Sequence, residues 1–439
     1  MRAVVGARTD LPWNEIQGLI LRGYSHPKGR HFVLHFPDVV SGRRFVAAIA
    51  PKITTAEPWS EKPAHCINIG FTADGLRALG LTVDLSNNFP QEFVDGAIAR
   101  ANAFTKVPND LGDHGESAPE KWDLSLGIEG QTHAILSTIA LDDGAREAVT
   151  AEMMSLFQSA GIESLGNHDA DDLPDSQVHF GYRDSISQPN IEGAPPRKYG
   201  LYSQPVVATG EFVLGYPNQS GFTMPLPLPS TPFAKNGCYS AFRILQQNVP
   251  AFFDYVEAQA VRLGVPASEI QANFCGRQPD GTPLAGSTHG LNDFDYSDDK
   301  NGKKCPYDAH IRRGHPRNSL GFGPAPDGEG YRHRILRRAL PYGRSFDPQN
   351  ADRDSTSRGL IGHFMGASLA QQFEFVMTQW INGVTVANNH DDALIGDNVP
   401  SGRLQMANGT TLQGFTRFTV TRGSAYVFFP SIAGLHYLG

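Results

Sequence analysis

At 439 residues the chain is too long for one small core and calls for one large domain or two of medium size. Its 40% hydrophobic and 19% charged residues are the composition of a folded globular protein, and a formal net charge of -8 argues against nucleic acid as the principal partner. No run approaches the roughly 20 apolar residues a membrane helix needs. The opening MRAVVGARTDLPWNEIQ lacks the apolar core of a signal peptide, so a cytoplasmic location with no membrane partner is expected.

In chain order, residues 16–23 (IQGLILRG) and 31–36 (HFVLHF) are short apolar runs bounded by Gly, His or Pro, and both read as strands. A helical stretch follows through Arg43–Ile49, then a strand at 66–72 (CINIGFT) and a short helix at 73–80 (ADGLRALG). HAILSTIAL (133–141) is strand-like. Residues 142–161 give the clearest helix, because Ala145, Val149, Met153 and Phe157 repeat on one face. Nine prolines between Pro189 and Pro232 exclude regular structure and predict a linker or a long wrapping loop. Strands are expected again at 238–247, at 333–341 and in GLIGHFMGA (359–367), with helices at 249–264 and 368–382. The segment 416–430 resembles a hairpin turning at Arg422-Gly423. Residues 277–305 are polar and Gly-rich and read as an exposed insertion.

The two halves share a strand–helix–strand rhythm. This predicts an α+β fold with two antiparallel sheets, each carrying helices on one face. The expected division is 1–190, a Pro-rich connection at 191–235, and 236–439. Cys66, Cys238, Cys275 and Cys305 are far apart, with no CxxC pair and no CxxCH for covalent haem attachment, which fits reduced, buried thiols.

Three stretches carry chemistry. CPYDAHIRRGHPRNS (305–319) packs two histidines and three arginines between His310 and Arg317. By spacing alone it is either a solvated basic loop or a site where an imidazole binds a metal and arginines neutralise an anionic cofactor. HFGYRDSISQPNIEG (179–193) places Asp184 just after a strand-like run, as an Asx-turn or as a working carboxylate. HRILRRALPYG (333–343) puts Arg337 and Arg338 on one strand, where only one of them can face inward. An inward arginine needs an anion or a polar cavity.

GYRDSISQP, CPYDAHIRRGHPR and RILRRALPYG, in this order, resemble the dye-decolorising peroxidase family. Looser matches run from IQGLIL through CINIGFTADGLRALGL, LGDHGESAPEKW and QQFEFVMTQWIN to SAYVFFPSIAGL. The resemblance implies two ferredoxin-like domains with non-covalent haem b held mainly by the C-terminal half. It implies a haem peroxidase that reduces hydrogen peroxide and oxidises dyes, phenolics or other bulky aromatic reductants through a ferryl state. His310 would be the axial iron ligand, and Asp184 and Arg337 would handle peroxide on the other face. Asp392, in preference to Asp391, would accept the second ring N–H of His310. Arg312 and Arg317 are candidates for the propionates, and Ile186, Leu360 and Gly362 for the haem wall. Trp380, Tyr342 and Trp122 are either electron relays or core packing.

This chain departs from the pattern in several places. Ser185 stands for the usual Gly after the aspartate, His315 for a common Asn, and Ala339 where Gly or Asn often sits. Gly362 and His363 fall where relatives often place bulky residues over the haem, implying a roomier or more polar distal pocket. Two other readings stay open here: a non-catalytic haem carrier or sensor, and a non-haem metal hydrolase using His363, His390, Asp391 and Asp392. Homo-oligomerisation is left open as well.

Overall fold

The strand–helix–strand–strand–helix–strand order occurs twice. The computed structural model describes residues 10–81, 84–104, 110–195, 204–287, 290–319, 332–347, 356–383, 390–398 and 401–439. In the first half these elements are β1 (Lys28–His35), α1 (Val39–Ile49), β2 (His65–Phe71), β3 (Ala134–Ala140), α2 (Asp143–Ala160) and β4 (Glu163–Asp171). In the second they are β5 (Cys238–Gln247), α3 (Val249–Leu263), β6 (Leu336–Tyr342), β7 (Gly359–Gly366), π-helical turns at Leu369–Glu374 and Val376–Ile381, and β8 (Thr419–Phe429). One eight-stranded antiparallel sheet runs β4-β1-β3-β2-β8-β5-β7-β6, so each half repeats the ferredoxin-like order 4-1-3-2. The α+β expectation holds, with the two half-sheets continuous through β2 and β8. A single register pair, Phe71 with Phe428, joins them.

Local chemistry sets the element ends. The Asp38 carboxylate accepts from Ser41 N at 2.9 Å to start α1, and Asp142 accepts from Ala145 N at 2.8 Å to start α2. α2 stops at Gly161, whose φ of 75° suits glycine. Its buried stripe is Val149, Met153, Phe157 and Ala160, while Ala145 sits at the half-exposed margin.

The inner faces of the two halves oppose one another. His168 of β4 packs on Tyr342 of β6 with ring centres 4.5 Å apart. Between the halves runs a buried polar chain: His31 Nδ1 to Ser137 Oγ at 2.8 Å, Ser137 Oγ to His363 Nε2 at 3.0 Å, and His363 Nδ1 to Ser240 Oγ at 3.1 Å. Burial pushes His31 down to about 3 and His363 well below the ordinary imidazole range, so both are neutral at pH 7.

Several sequence expectations change. IQGLILRG is not a strand: Gly18–Leu21 is one buried helical turn. Its backbone hugs Thr55, where a Cβ on Gly18 would come within 2.5 Å of the carbonyl oxygen. Four apolar residues in a row bury equally well as a helix or a strand, and this contact decides for the helix. The 416–430 hairpin is instead the continuous strand β8, with a register shift between Thr421 and Gly423, so Arg422-Gly423 marks a bulge and not a turn. The 368–382 helix is present but wound in the wider π form. The edge strand β4, ESLGNHDAD, is too polar to have been read as a strand.

The Pro-rich stretch wraps the core, burying Phe212, Val213, Leu214 and Phe233. Residues 196–203 of it lie outside the described residues. The 277–305 insertion is likewise no free loop, since it buries Ala285, Tyr296, Asp299 and Cys305.

Candidate active site

The site is assembled on the outer face of the second half by three segments, two of which interrupt its repeat. Residues 264–335 lie between α3 and β6, and residues 367–418 lie between β7 and β8. The first carries α4 (His310–Gly314), the second carries Asp392. The third segment, 176–191, brings Asp184.

His310 Nδ1 lies 2.8 Å from Asp392 Oδ2. The other carboxylate oxygen of Asp392 accepts from Leu394 N at 2.8 Å and Ile395 N at 2.9 Å, and the residue is fully buried. A carboxylate fixed by two amides and receiving the Nδ1–H sets the His310 tautomer, leaving the Nε2 lone pair for a metal. Nε2 has no protein partner among the described residues. Asp391 does not reach His310: it accepts from Asn398 N at 3.1 Å, and burial raises its carboxyl pKa. Residues 387–389 of this segment lie outside the described residues.

Arg337 and Arg338 alternate as strand geometry requires. Arg338 Nε donates to Leu19 O at 2.7 Å on the inner face, opposite His363 in register. Arg337 faces outward with its register partner Phe364, and its Nη2 donates to Ser187 O at 2.9 Å. Gln188 clamps the same residue, with Nε2 to Arg337 O at 3.0 Å and Oε1 accepting from Arg337 N at 3.2 Å. The Asp184 segment is thereby docked on the Arg337 strand. Asp184 N donates to Ser176 O at 2.8 Å, and Ser185 takes a φ of 61°, the left-handed turn for which glycine is the usual residue. After burial, the Asp184 charge is what raises the pKa of neighbouring Asp172.

A group of cations surrounds His315, which is held well below its ordinary pKa by burial and then by Arg334, Arg317 and Arg337. Arg277 is depressed by burial, with Arg317 and Arg337 among its neighbours. Arg277 and Arg337 bond to neutral oxygens, those of Gly281, Leu291, Asn292 and Ser187. Arg317 Nη1 donates to Phe294 O at 2.6 Å, and Arg334 Nη2 to Gln204 Oε1 at 2.8 Å. This concentration of positive charge suits an anionic group. The buried Cys275 thiol is pushed up to about 12 by burial, and it feels Arg277, Asp392 and Arg337 together, so both sides of the site lie within its electrostatic reach.

The remaining candidates sort as follows. Arg312 is removed from the propionate set. It is fully buried, with Nη1 on Asp299 Oδ2 (2.8 Å) and Cys305 O (2.6 Å), Nη2 on Asp299 O (2.8 Å) and Nε on Ser319 Oγ (3.2 Å), stacked between Tyr296 and Tyr307. His363 is not over the site at all, since it points into the interior between the halves. Gly362 shares the Arg337 face, but its missing Cβ serves strand packing, because a Cβ there would sit 2.1 Å from Arg338 O. Leu360 and Phe364 share that face by alternation, and Phe364 packs against Phe373 with ring centres 5.8 Å apart. Ile186 is buried, and its carbonyl accepts from Asn292 Nδ2 at 2.8 Å. Trp380 is buried against His333 and Phe375. Trp122 donates to Ser117 O at 2.8 Å, and Tyr342 lies at the β4–β6 contact with its phenol pushed up to about 12 by burial. Arg277 was missed because it opens the segment read as an exposed insertion, and Arg334, although inside the quoted 333–343 motif, because two-residue alternation back from Arg337 marks Ile335 instead.

A double ferredoxin-like α+β fold carrying a carboxylate-braced imidazole and a cluster of arginines has the residue types that a haem iron and its carboxylates would need. No family model matches the chain. Among curated proteins it is 26% identical to dye-decolorizing peroxidase msp1 of Mycetinis scorodonius over 99% of this chain and 88% of that one. It is 28% identical to the multifunctional dye peroxidase DyP2 of an Amycolatopsis species, over 97% and 95%. The crystal structure of the fungal DyP-type peroxidase of Auricularia auricula-judae superposes with a TM-score of 0.82 at 25% identity, covering 98% of this chain and all of that one. A dye-decolorizing peroxidase complexed with 2,6-dimethoxyphenol gives the same TM-score at 26% identity. The chain is thus similar to dye-decolorising peroxidases over nearly its whole length.

Proposed function

We propose that the protein is a haem peroxidase of the dye-decolorising type, reducing hydrogen peroxide at the expense of dyes, phenolics or other aromatic reductants. The observation that carries this reading is the 2.8 Å bond between His310 and Asp392, which leaves Nε2 without a protein partner among the described residues. The donor set fits haem: one braced imidazole for the iron, and Arg317, Arg334 and His315 for its carboxylates. Haem b held without covalent attachment is supported by four free, buried cysteines. The same reduced thiols support a cytoplasmic location. Among the described residues no helix is long and apolar enough to cross a membrane. The division at 191–235 belongs to this reading as the wrap between the two repeats.

When bound, haem supplies the redox chemistry of the reaction. Asp184 takes the proton from one peroxide oxygen and returns it to the other. The Arg337 guanidinium, oriented by Ser187 O on a backbone that Gln188 holds, neutralises charge on the departing oxygen. His310, through Asp392, presents an electron-rich nitrogen. Of the three relay candidates Trp380 is the best placed. Arg313, three residues after the ligand, donates to its carbonyl at 3.0 Å, and its indole N–H has no partner among the described residues. A Trp380→Phe variant that keeps small-phenol turnover but loses bulky-dye turnover supports the relay; unchanged dye turnover removes it.

The decisive experiment is reconstitution with haem and an absorption spectrum before and after peroxide. The protein is expected to show a histidine-ligated ferric spectrum that changes on peroxide addition, and His310→Ala is expected to abolish both features. Retention of a histidine-ligated spectrum in that variant overturns the reading.

A further inference from the structure

The strongest unassigned feature is a cluster around His114, far from His310 in sequence and outside the machinery described above. His114 Nε2 lies 3.1 Å from Asp110 Oδ2 and 3.0 Å from Asp397 Oδ2. A bare nitrogen lone pair facing two carboxylates would be repelled, so the arrangement requires an Nε2–H shared between them. Asp110 and His114 belong to the 72–133 excursion of the first half, and Asp397 to the loop that carries Asp392. Asn382 closes the ring: its Oδ1 accepts from Asp397 N at 2.9 Å, and its Nδ2 donates to Asp110 O at 3.1 Å. Arg417 completes the surroundings, pairing with the Asp397 carboxylate and donating to Gly112 O at 2.9 Å and Ser117 Oγ at 2.6 Å.

The loop is short between this clasp and the axial pair. Asn398, next to Asp397, has a φ of 52°, and its side-chain amide donates to Asp392 O at 2.9 Å and Gly396 O at 3.1 Å. Asp392 N donates to Ile381 O at 2.7 Å, one residue before Asn382. Both backbone groups of Asp392 are thus fixed by neighbours of residues in the clasp.

We propose that His114 and Asp110 are positioning residues for the axial ligand. They lock Asp397, hence Asn398, hence the Asp392 carboxylate, at the place where it takes the full Nδ1–H hydrogen bond from His310. This rests on the haem reading for its chemical consequence and on the structure alone for the linkage. A well-aligned Asp392 makes the His310 ring more electron-donating, which favours the higher oxidation state of a bound iron. Loosening the clasp weakens that bond and shifts the balance toward ferrous.

The test uses the full-length protein with His114→Ala, and His114→Gln as the conservative variant whose amide N–H can still reach a carboxylate. Three readouts are taken. In the haem-loaded protein, His114→Ala is expected to shift the ferric–ferrous equilibrium several-fold toward ferrous at fixed poise (tenfold would be 59 mV for one electron) and to lower the iron–imidazole stretching frequency. His114→Gln is expected to restore both in part. In the haem-free protein, His114→Ala is expected to speed amide exchange at Leu394 and Ile395, the donors to Asp392, several-fold relative to β5. An unchanged potential and stretching frequency, or unchanged exchange at those two amides, overturns the proposal. Failure of the parent protein to take up haem would instead overturn the peroxidase reading, while the exchange measurement still judges the clasp.

Discussion

The two halves of the molecule repeat one topology and differ in where they are interrupted. The first half opens widely only between β2 and β3, and its periphery is occupied by ion pairs among Lys28, Arg30, Arg146, Asp143, Glu147, Asp169 and Asp171. The second half opens between α3 and β6 and between β7 and β8, and those openings deliver His310, Arg317 and Asp392. A repeated scaffold thus gains a site through its excursions, while its strands supply a rigid base and, at Arg337, one working side chain.

This contrast can be broken at either half. The largest effects are expected at the site carried by the second half, to which the segment after β4 brings Asp184: Asp184→Asn should lower kcat/KM for peroxide by roughly 10²–10⁴-fold, and Arg337→Leu by about 10²–10³-fold, measured by stopped-flow with peroxide under haem saturation. Near-parent rates in both would favour a haem carrier or sensor over an enzyme. At the junction, Asp113 pairs with Arg243 through two 2.5 Å contacts, both residues being buried. Asp113→Ala strands the guanidinium and should cost about 3–5 kcal/mol in chemical denaturation.

Between the halves, His31 is neutral when folded and titrates near its ordinary value when unfolded, so the unfolded chain binds the extra proton. Its contribution to stability is complete above about pH 6.5 and is lost as pH falls toward about 3. A His31→Leu variant should show a pH–stability slope shallower by up to one proton in that window, and an unchanged slope would show that His31 is accessible to water. The smallest effect belongs to the first half: Arg30→Gln, which cuts the ties to partly exposed Asp169 and Glu147, should cost about 1 kcal/mol or less and leave peroxide kinetics intact.

Much of this was legible where local chemistry and position agree. Asp142 followed by an apolar stripe gives α2, and CYSAFRILQQ gives β5 residue for residue. The three ordered motifs brought out His310, Asp184 and Arg337, and the preference for Asp392 over Asp391 agrees with the contact observed. The failures share a cause. Arg312 reads as a surface cation unless one knows that the 277–305 segment folds back to bring Asp299 and Tyr296 around it. His363 and Phe364 are neighbours on one strand, and a shift of one position exchanges the inner face for the outer. Gly18 and Gly423 are set by close approach to the Thr55 carbonyl and to the Leu126 and Ile244 side chains, partners that periodicity does not encode.

The joint between the half-sheets has a mechanical consequence. With one backbone rung at Phe71 and Phe428, the ladder offers little resistance to one half sliding along the other. Side chains add to the resistance: Ser137 bonded to His363 and Arg338 bonded to Leu19 act as dowels through the seam, beside an apolar core to which both repeats contribute.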